Sequence, residues 1–325
     1  MGNPQENAKG RCYSMIDILM ATYNGEKYLC EQLDSILRQS NKNWRLIIRD
    51  DCSTDHTVTI IQEYQAQYPD KVVLIQADSP SGSAQNNFLQ LIKYWQQHGD
   101  ANYIMFADQD DVWMQNKIQH TLHHMQMLEQ HYGRNIPLLV HTDLMVVDEE
   151  LNVINPSMFA MQNMDANRDQ LNHILVQNIV TGCTMMVNKP LLDMVTKIPQ
   201  HAIMHDMWLA LIAAAFGQIG FVDEAAILYR QHGNNANGAK NVRTLRYFLW
   251  KLIGAKEIHH GLIKQYRQAD ELLSLYGTML DEQQQNMLQA YGAMESYSIV
   301  QKYRVLKKYK LYKKGFVRVL GQILR

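Results

Sequence analysis

Short apolar runs alternate with helical patterns from Ser14 to about Gln231, and this alternation restricts the fold more than any other feature of the sequence. The first four runs with the character of strands are IDILMAT, WRLIIRDD, KVVLIQAD and YIMFAD. The segments between them place apolar residues at the spacing of amphipathic helices. Strands joined by helical crossovers lie parallel, and the helices cover both faces of the sheet. We therefore predict an α/β fold with a mostly parallel central sheet.

The second half of the sequence divides into two parts. The runs PLLVHTDLMVVD, TGCTMMVNK and FVDEAAILYRQH predict further strands, with a helix at 205–216 between the last two. After Gly238 the strand patterns end, and the remaining residues have the pattern of helices. We expect three segments: an N-terminal tail (1–13), an α/β domain (14–238) and a helical C-terminal extension with a basic amphipathic end (239–325).

Acidic residues follow several of the predicted strands. Asp50 and Asp51 end the second strand, Asp78 follows the third and Asp108 follows the fourth. The carboxyl ends of parallel strands share one edge of the sheet, and the ligands of such sheets bind there. Turn and cap interactions within RDDCSTDHT are an alternative role for the acidic residues of the second strand. The sequence thus predicts an acidic ligand site at this edge.

The segment FADQDDVW concentrates three carboxylates, those of Asp108, Asp110 and Asp111, within four positions. Like charges this close persist when they are solvated, capped or bound to a cation. Asp108 and Asp110 can point to one side of an extended turn, and such a pair of oxygen ligands suits Mg²⁺ or Mn²⁺. The alternative is that Asp111 caps a helix that runs from Val112, which accounts for only one of the three carboxylates.

Several classes of protein are excluded by missing patterns. Neither G-x-G-x-x-G nor G-x-x-x-x-G-K-[ST] is present, so a standard dinucleotide-binding or P-loop enzyme is not expected. A nucleotidyltransferase needs a glycine-rich phosphate loop after the first strand, and ATYNGEKY does not supply one. The four cysteines have no metal or redox spacing, and no apolar run reaches the length of a membrane span. The N-terminus MGNPQENAKGRC lacks the apolar core of a signal peptide. We expect a cytoplasmic protein.

Six segments taken together resemble the family 2 glycosyltransferases of the GT-A nucleotide-sugar-binding fold. They cover about residues 14–238 in the order ILMATYNGEKYLCEQLDSILRQS, RDDCSTDHT, FADQDDVW, TGCTMMVNK, HDMWLALIAA and YRQHGNN. The subgroup that the sequence most resembles is the bacterial rhamnosyltransferases of cell-wall and capsular polysaccharide synthesis, in which DQDDVW and YRQH recur. The resemblance implies that a divalent cation assists transfer of a sugar from a nucleotide diphosphate donor, with inversion of the anomeric centre.

The resemblance also implies a set of donor-binding residues. Thr22, Tyr23 and Asp51 fall where the family lines its nucleoside pocket, and Asp108 is the first residue of the family's D-x-D motif. His232 falls where related enzymes bring a loop residue to the diphosphate or the metal. Without the resemblance, His232 could equally be a surface loop residue.

The metal ligands and the catalytic base follow from the same comparison of motifs. Asp108 and Asp110 match the metal-binding D-x-D pair, with Asp110 favoured as the direct ligand, and Asp206 falls where the family keeps its catalytic base. On the residues alone, Asp206 is a first-turn aspartate favoured by the helix dipole. Two positions depart from the family pattern: Cys52 is often glycine, and His205 is often glutamate. The segment PSGSAQNN matches the donor loop only loosely.

The end of the chain is basic although the whole sequence is nearly neutral, with 31 Lys and Arg against 32 Asp and Glu. Residues 296–325 carry nine basic residues and no acidic one, interleaved with Tyr, Leu, Val and Phe. This composition is typical of a segment that lies on an anionic membrane. Nucleic acid is a rival partner and a solvated helical face is a third interpretation. Combined with the resemblance, the basic segment favours peripheral association with the inner face of the plasma membrane and no nucleic acid.

These observations together predict an inverting, metal-dependent hexosyltransferase. The expected donor is dTDP-L-rhamnose, and the expected acceptor is a lipid-linked saccharide of cell-surface polysaccharide synthesis. Two alternatives stay open, a family 2 enzyme with a UDP-hexose donor and a non-catalytic, membrane-associated assembly subunit.

Overall fold

The computed structural model describes residues 15–197, 199–232 and 255–324. Within them, the strands are β1 Ile16–Thr22, β2 Trp44–Asp50, β3 Val72–Gln76, β4 Tyr103–Ala107, β5 Val112–Trp113, β6 Leu138–Val147, β7 Val153–Asn155, β8 Met186–Asn188 and β9 Gln218–Arg230. The predicted N-terminal tail (1–13) and the predicted domain boundary at residue 238 lie outside the described residues.

Helices connect these strands and form the C-terminal part of the chain. The helices of the described residues are α1 Leu29–Leu37, α2 Thr57–Gln67, α3 Ala84–His98, α4 Lys117–Tyr132, α5 Met158–Gln162, α6 Leu171–Ile174, α7 Lys189–Asp193, α8 His205–Phe216, α9 Ala255–Tyr276, α10 Glu282–Gly292, α11 Ile299–Tyr309 and α12 Phe316–Leu324. A short 3-10 turn, Gly182–Thr184, precedes β8.

All the strands belong to one sheet, in the order β3-β2-β1-β4-β8-β6-β9-β5, with β7 paired to β6. The four strands β3, β2, β1 and β4 are parallel, as helical crossovers require. β8 is antiparallel to both of its neighbours, while β6 and β9 form a long parallel pair. The predicted α/β fold with a mostly parallel sheet is confirmed.

The two faces of the sheet are covered by separate hydrophobic clusters. Alternate residues of β1 contribute to opposite clusters, with Ile18 and Met20 on one face and Leu19 on the other. The cluster that contains Leu19 continues through α3 and α8 into the C-terminal helices and the segment after α11, where Leu306 and Leu311 are fully buried. The described helices after residue 255 therefore share a core with the sheet. None of the described helices combines the length and hydropathy required to cross a bilayer.

A buried carboxylate fixes the start of β1. Asp17 has no exposed surface, and its two oxygens accept hydrogen bonds from Arg45 Nε at 2.9 Å and Nη2 at 2.8 Å. Trp95 Nε1, from α3, donates to the same carboxylate at 2.7 Å. The exposed Asp100 also contacts Arg45, at 3.1 Å. Asp17 thus joins β1, β2 and α3 at the edge of the sheet opposite the strand carboxyl ends.

We predict that Asp17→Ala lowers the free energy of unfolding by at least about 2 kcal/mol, because it leaves the indole N–H and the guanidinium without their carboxylate. Asp100→Ala is the matched control and should cost less than about 1 kcal/mol, since this carboxylate is exposed. Urea denaturation of the two variants measures the difference. Equal urea midpoints would contradict the role assigned to Asp17.

Candidate active site

A cavity of about 730 Å³ opens at the carboxyl ends of β1, β2 and β4. This volume is in the range of ligand-binding clefts. Six of the residues that the sequence predicts for the site line it: Thr22, Tyr23, Asp51, Asp108, Asp110 and Asp206. The seventh, His232, is not among the lining residues but contacts one of them. The structure therefore brings the predicted residues together from five separate segments of the chain.

Hydrogen bonds join the ends of β1 and β2. Thr22 Oγ1 donates to Asp50 Oδ1 at 3.0 Å, and Ser53 donates to the same carboxylate from its hydroxyl at 2.5 Å and its backbone N–H at 2.8 Å. Asp50 is buried by these contacts. Its role is therefore that of a turn carboxylate, whereas its neighbour Asp51 lines the cavity.

Asp51 is held at the cavity wall by two partners. Its Oδ1 accepts from Arg49 Nη1 at 2.9 Å and from Ser81 N at 2.8 Å, and its Oδ2 accepts from Ser81 Oγ at 2.8 Å. Burial alone would raise the pKa of Asp51, but the hydrogen bonds from Ser81 and Arg49 outweigh it, and the pKa lies below its ordinary value. Asp51 is thus a fixed, ionised acceptor. The next residue, Cys52, has a φ of +65°, the left-handed conformation that favours glycine.

Gln109, which is not among the predicted site residues, fixes the backbone of Tyr23. Its Oε1 accepts from Tyr23 N at 2.9 Å, and its Nε2 donates to Tyr23 O at 3.0 Å. The amide packs directly on Gly25, where a Cβ atom would lie 2.4 Å from Oε1. The Tyr23 side chain stays 54% exposed beside the cavity. No pattern in the sequence indicates this contact, because its two partners are 86 positions apart.

The third carboxylate of FADQDDVW points away from the cavity. Asp111 is fully buried, and its Oδ1 accepts from Arg230 N at 3.2 Å. Val112 begins the short strand β5, which pairs with β9, and α4 begins only at Lys117. The alternative in which Asp111 caps a helix from Val112 is therefore wrong, because pairing with β9 keeps this segment extended.

A buried lysine lies behind the same carboxylate. Lys117 Nζ stacks over the Trp113 ring, 3.8 Å from its centroid. Burial lowers the pKa of Lys117 to about 7, although the neighbouring acidic groups of Cys183 and Asp111 oppose this shift. Burial also raises the pKa of Asp111 well above its ordinary value, with the Asp110 and Asp108 charges adding to it. Nothing in the local sequence pattern around Lys117 indicates that this residue is buried.

The cavity wall carries excess negative charge at Asp108. Burial raises the pKa of Asp108 to about 7, and repulsion from Asp110 and Asp206 adds to the effect. A divalent cation would relieve this repulsion, and two carboxylates facing an open cavity leave room for water and phosphate ligands. An aspartate-rich group suited to such an ion therefore lies at the site.

The thiol of Cys183, which lies beside the carboxylates of Asp108 and Asp111, is a poor ligand for a hard cation. Oxygen and sulfur atoms of Asp108, Asp111 and Cys183 lie within 4.8 Å of one another. Burial raises the pKa of the Cys183 thiol well above its ordinary value, so the thiol stays protonated. On the cavity side, the lining carboxylates of Asp108 and Asp110 offer the oxygen donors that a hard cation such as Mg²⁺ or Mn²⁺ takes.

The end of β9 meets this carboxylate loop. His232 Nε2 lies 2.7 Å from Asp110 Oδ2, and its ring lies 5.1 Å from that of Tyr28. The buried guanidinium of Arg230 donates to the Asp110 carbonyl at 3.0 Å and also contacts Glu31 and the Glu149 carbonyl. The arginine of the motif YRQH thus makes more contacts than the histidine, which is the residue of this motif that the resemblance indicates.

Asp206 lies in the first turn of α8, as the sequence predicts. Its Oδ1 accepts from Met207 N at 2.5 Å, and its Oδ2 accepts from Gly182 N at 3.1 Å. Burial raises the pKa of Asp206 to about 6, although these N–H groups favour the ionised form. Asp206 is therefore a fixed carboxylate that can take up a proton near neutral pH.

His205 supports this turn by packing. Its ring stacks on Phe88, with 3.9 Å between the ring centroids, and burial lowers its pKa to about 3. The imidazole is therefore neutral, and His205 acts as a packed residue. A Cβ atom at Gly182 would lie 2.7 Å from His205 Nε2. The His205 ring therefore leaves no room for a side chain at Gly182.

The family described as Glycosyl transferase family 2 matches residues 17–132 of the chain. The dTDP-rhamnosyl transferase RfbG of Shigella flexneri is 30% identical over 229 residues, which are 68% of this chain and 74% of the relative. The UDP-Glc:alpha-D-GlcNAc-diphosphoundecaprenol beta-1,3-glucosyltransferase WfgD of Escherichia coli is 23% identical over 61% of this chain and 70% of its own.

A solved structure shares the fold at low sequence identity. The mannosyltransferase PcManGT from Pyrobaculum calidifontis, in complex with GDP-Man and Mn²⁺, superposes with a TM-score of 0.51. It is 12% identical, and the match covers 96% of this chain and 86% of that one. Because this match covers nearly the whole chain, the shared fold extends beyond residues 17–132, the range that matches the family.

We predict that Gly182→Ala lowers the free energy of unfolding by about 1–3 kcal/mol, because the added methyl group displaces the His205 ring. Gly261→Ala is the matched control: Gly261 lies inside α9 with open space around it, and the same change there should raise stability by about 0.5–1 kcal/mol. Thermal unfolding should show a lower midpoint for Gly182→Ala and a higher midpoint for Gly261→Ala than for the unmodified chain. A Gly182→Ala protein as stable as the unmodified chain would refute the close fit.

Proposed function

This chain belongs to glycosyltransferase family 2, and we propose that it transfers L-rhamnose from dTDP-L-rhamnose to a lipid-linked saccharide in the synthesis of a cell-surface polysaccharide. The observation that carries the proposal is the convergence in one cavity of the pair Asp108 and Asp110, the fixed carboxylate of Asp206 and the nucleoside-side residues Thr22 and Asp51. The name of RfbG supports the choice of donor, and that of WfgD supports a diphosphate-linked lipid acceptor.

The side chains proposed to bind the nucleoside are already held in position by hydrogen bonds within the protein. Asp51 offers a carboxylate that Ser81 and Arg49 already orient. Gln109 holds the Tyr23 backbone, so the exposed phenol ring can lie along the base without a change of the chain. Pre-oriented groups of this kind reduce the entropy lost on binding.

Asp108 and Asp110 would hold the divalent ion, and this ion would stabilise the charge that develops on the departing diphosphate. His232 hydrogen-bonds to Asp110 and so fixes the direction of that carboxylate. Arg230 fixes the backbone of the same residue from behind. The Mn²⁺ in the PcManGT complex supports the choice of metal.

Asp206 is the base in this proposal. The acceptor hydroxyl gives its proton to the Asp206 carboxylate while its oxygen bonds to the anomeric carbon, and the bond from that carbon to the diphosphate oxygen breaks with its electron pair. One displacement from the opposite side inverts the anomeric centre. The N–H groups of Met207 and Gly182 hold the carboxylate in one orientation for the transfer.

Two alternatives have less support. A UDP-hexose donor is consistent with the same cavity, and the name of WfgD specifies one. A non-catalytic assembly subunit would not need a buried base with its pKa raised toward neutral, which Asp206 has. We retain rhamnosyl transfer as the proposal.

We also propose that the protein acts as a peripheral protein on the cytoplasmic face of the cell membrane, through helix α11. This helix exposes Ile299, Val300 and Tyr303, each at least 46% accessible. Exposed Arg304 and Lys307 follow on the same face. Apolar side chains beside cations match the boundary of an anionic bilayer, whose headgroups attract the basic residues.

We predict that Asp110→Ala weakens Mn²⁺-dependent binding of dTDP at least about tenfold, because it removes one of the two oxygen ligands. Isothermal titration calorimetry with dTDP, with Mn²⁺ and with EDTA, measures the effect. Asp223→Ala is the control, since Asp223 is exposed on β9 and outside the cavity. Unchanged affinity in the Asp110 variant would reject the metal role.

We predict that Asp206→Asn leaves dTDP binding within about twofold and lowers turnover about 100-fold or more, because the amide cannot accept the proton. In the unmodified enzyme the base must be ionised. Turnover should therefore rise as the pH increases through about 6 and then level off, in line with the raised pKa of Asp206. Release of dTDP from dTDP-L-rhamnose reports both results. Near-normal turnover of the variant would exclude Asp206 as the base.

We predict that the double substitution Ile299→Ser and Val300→Ser reduces flotation with phosphatidylglycerol-containing liposomes several-fold, because it removes apolar surface from the membrane face. Val153→Ser with Ile154→Ser is the matched control, since these residues of β7 are equally exposed. Truncation is unsuitable because Leu306 and Leu311 belong to the core. Equal flotation of both variants, or tighter binding to RNA than to liposomes, would contradict the proposal.

A further inference from the structure

Part of the basic C-terminal segment packs against the α/β domain. Asn172 Nδ2 donates to the carbonyl of Tyr309 at 3.2 Å, and the Lys314 backbone N–H donates to Gln177 Oε1 at 2.8 Å. Arg168 contacts the Tyr312 carbonyl. Lys314 Nζ donates to the Met164 carbonyl at 2.9 Å. These contacts fix the segment between α11 and α12 on the loops around α6.

This docking places Arg318, in the first turn of α12, in the wall of the cavity. Its Nη2 donates to the Gln162 carbonyl at 3.0 Å, and its Nη1 contacts the Lys314 carbonyl at 3.4 Å. Both partners are neutral. Among the ion pairs of the described residues, none involves Arg318. The guanidinium is thus oriented by the backbone while its charge has no carboxylate partner there.

Arg318 lies on a different part of the cavity wall from the carboxylates of the proposed donor site. The carboxylates of the cavity wall, including the metal pair, lie at the ends of the strands and on α8. Arg318 instead contacts the end of α5, beside the neutral lining residues Met158 and Met164. A guanidinium has five N–H donors, and about three of them stay available after the two carbonyl contacts. A planar fork of this kind matches the oxygens of a phosphate group.

The position of α12 in the chain indicates where such a phosphate would come from. α12 follows α11, which exposes the proposed membrane face, with only the six residues 310–315 between them. A lipid-linked acceptor carries its phosphate where the saccharide joins the lipid, at the surface of the bilayer. Arg318 therefore lies on the wall of the cavity that is connected to the membrane face.

We propose that Arg318 binds a phosphate group of the lipid-linked acceptor, and that α12 forms the acceptor side of the cavity. This inference depends on the proposed function, because it presumes that the other side holds the nucleotide donor. Arg318 is then a binding residue for the acceptor, and it discriminates phosphate-linked saccharides from free ones.

The test uses the full chain saturated with dTDP and Mn²⁺, so that the donor side is filled. Isothermal titration calorimetry compares farnesyl diphosphate, farnesyl monophosphate and farnesol as probes. Arg318→Gln should weaken binding of farnesyl diphosphate about tenfold or more, since a charge-assisted hydrogen bond to phosphate is lost. Binding of farnesol should be unchanged. The monophosphate arm shows whether one phosphate is sufficient, and loss with either phosphate supports the inference.

The matched control is Arg267→Gln, on the exposed face of α9 and outside the cavity. It should bind all three probes as the unmodified chain does. Equal weakening in both variants, or no weakening in Arg318→Gln, would overturn the inference. A parallel loss of dTDP affinity in Arg318→Gln would also overturn it, because Arg318 would then serve the donor. Failure of the proposed function has a different readout, the absence of Mn²⁺-dependent dTDP binding by the unmodified chain.

Discussion

One buried guanidinium, that of Arg230, connects the parts of the structure on which the site depends. It is 2% exposed and contacts the carbonyl of Asp110, the carbonyl of Glu149 and the carboxylate of Glu31, while its backbone N–H donates to Asp111. These partners belong to the loop after β4, the loop after β6 and helix α1. A charge so deeply buried requires all of these contacts at once. The carboxylate loop therefore has one defined position relative to the end of β9.

The electrostatics of the cavity follow from that fixed geometry. Burial and mutual repulsion raise the pKa of Asp108 to about 7, and burial raises that of Asp206 to about 6. In the proposed enzyme, a bound cation would keep Asp108 ionised. Asp206, with its raised pKa, would be a base of suitable strength. The same negative charge would repel a diphosphate unless the cation is present. A single arrangement of carboxylates thus accounts for the proposed metal dependence and for the proposed proton transfer.

The sequence predicts the α/β core well, because its strands are continuous apolar runs. β1 and α8 have the predicted bounds, 16–22 and 205–216. It fails at Val112, where two residues form a strand only because β9 lies beside them. Gln109 and Lys117 were missed for the same reason, since their contacts join distant segments. Six of the predicted site residues line one cavity, and the seventh, His232, contacts one of them. The sequence alone could not show that α12 would complete the wall of this cavity.

Thermal unfolding of the unmodified chain with a panel of nucleotide sugars, with Mn²⁺ and with EDTA, tests the central claim most directly. A ligand that binds only the folded protein raises the unfolding midpoint in proportion to its affinity and concentration. The account predicts that dTDP-L-rhamnose raises the midpoint in Mn²⁺ and not in EDTA, and that UDP-hexoses raise it less. No response to any nucleotide sugar, or an equal response in EDTA, would contradict it.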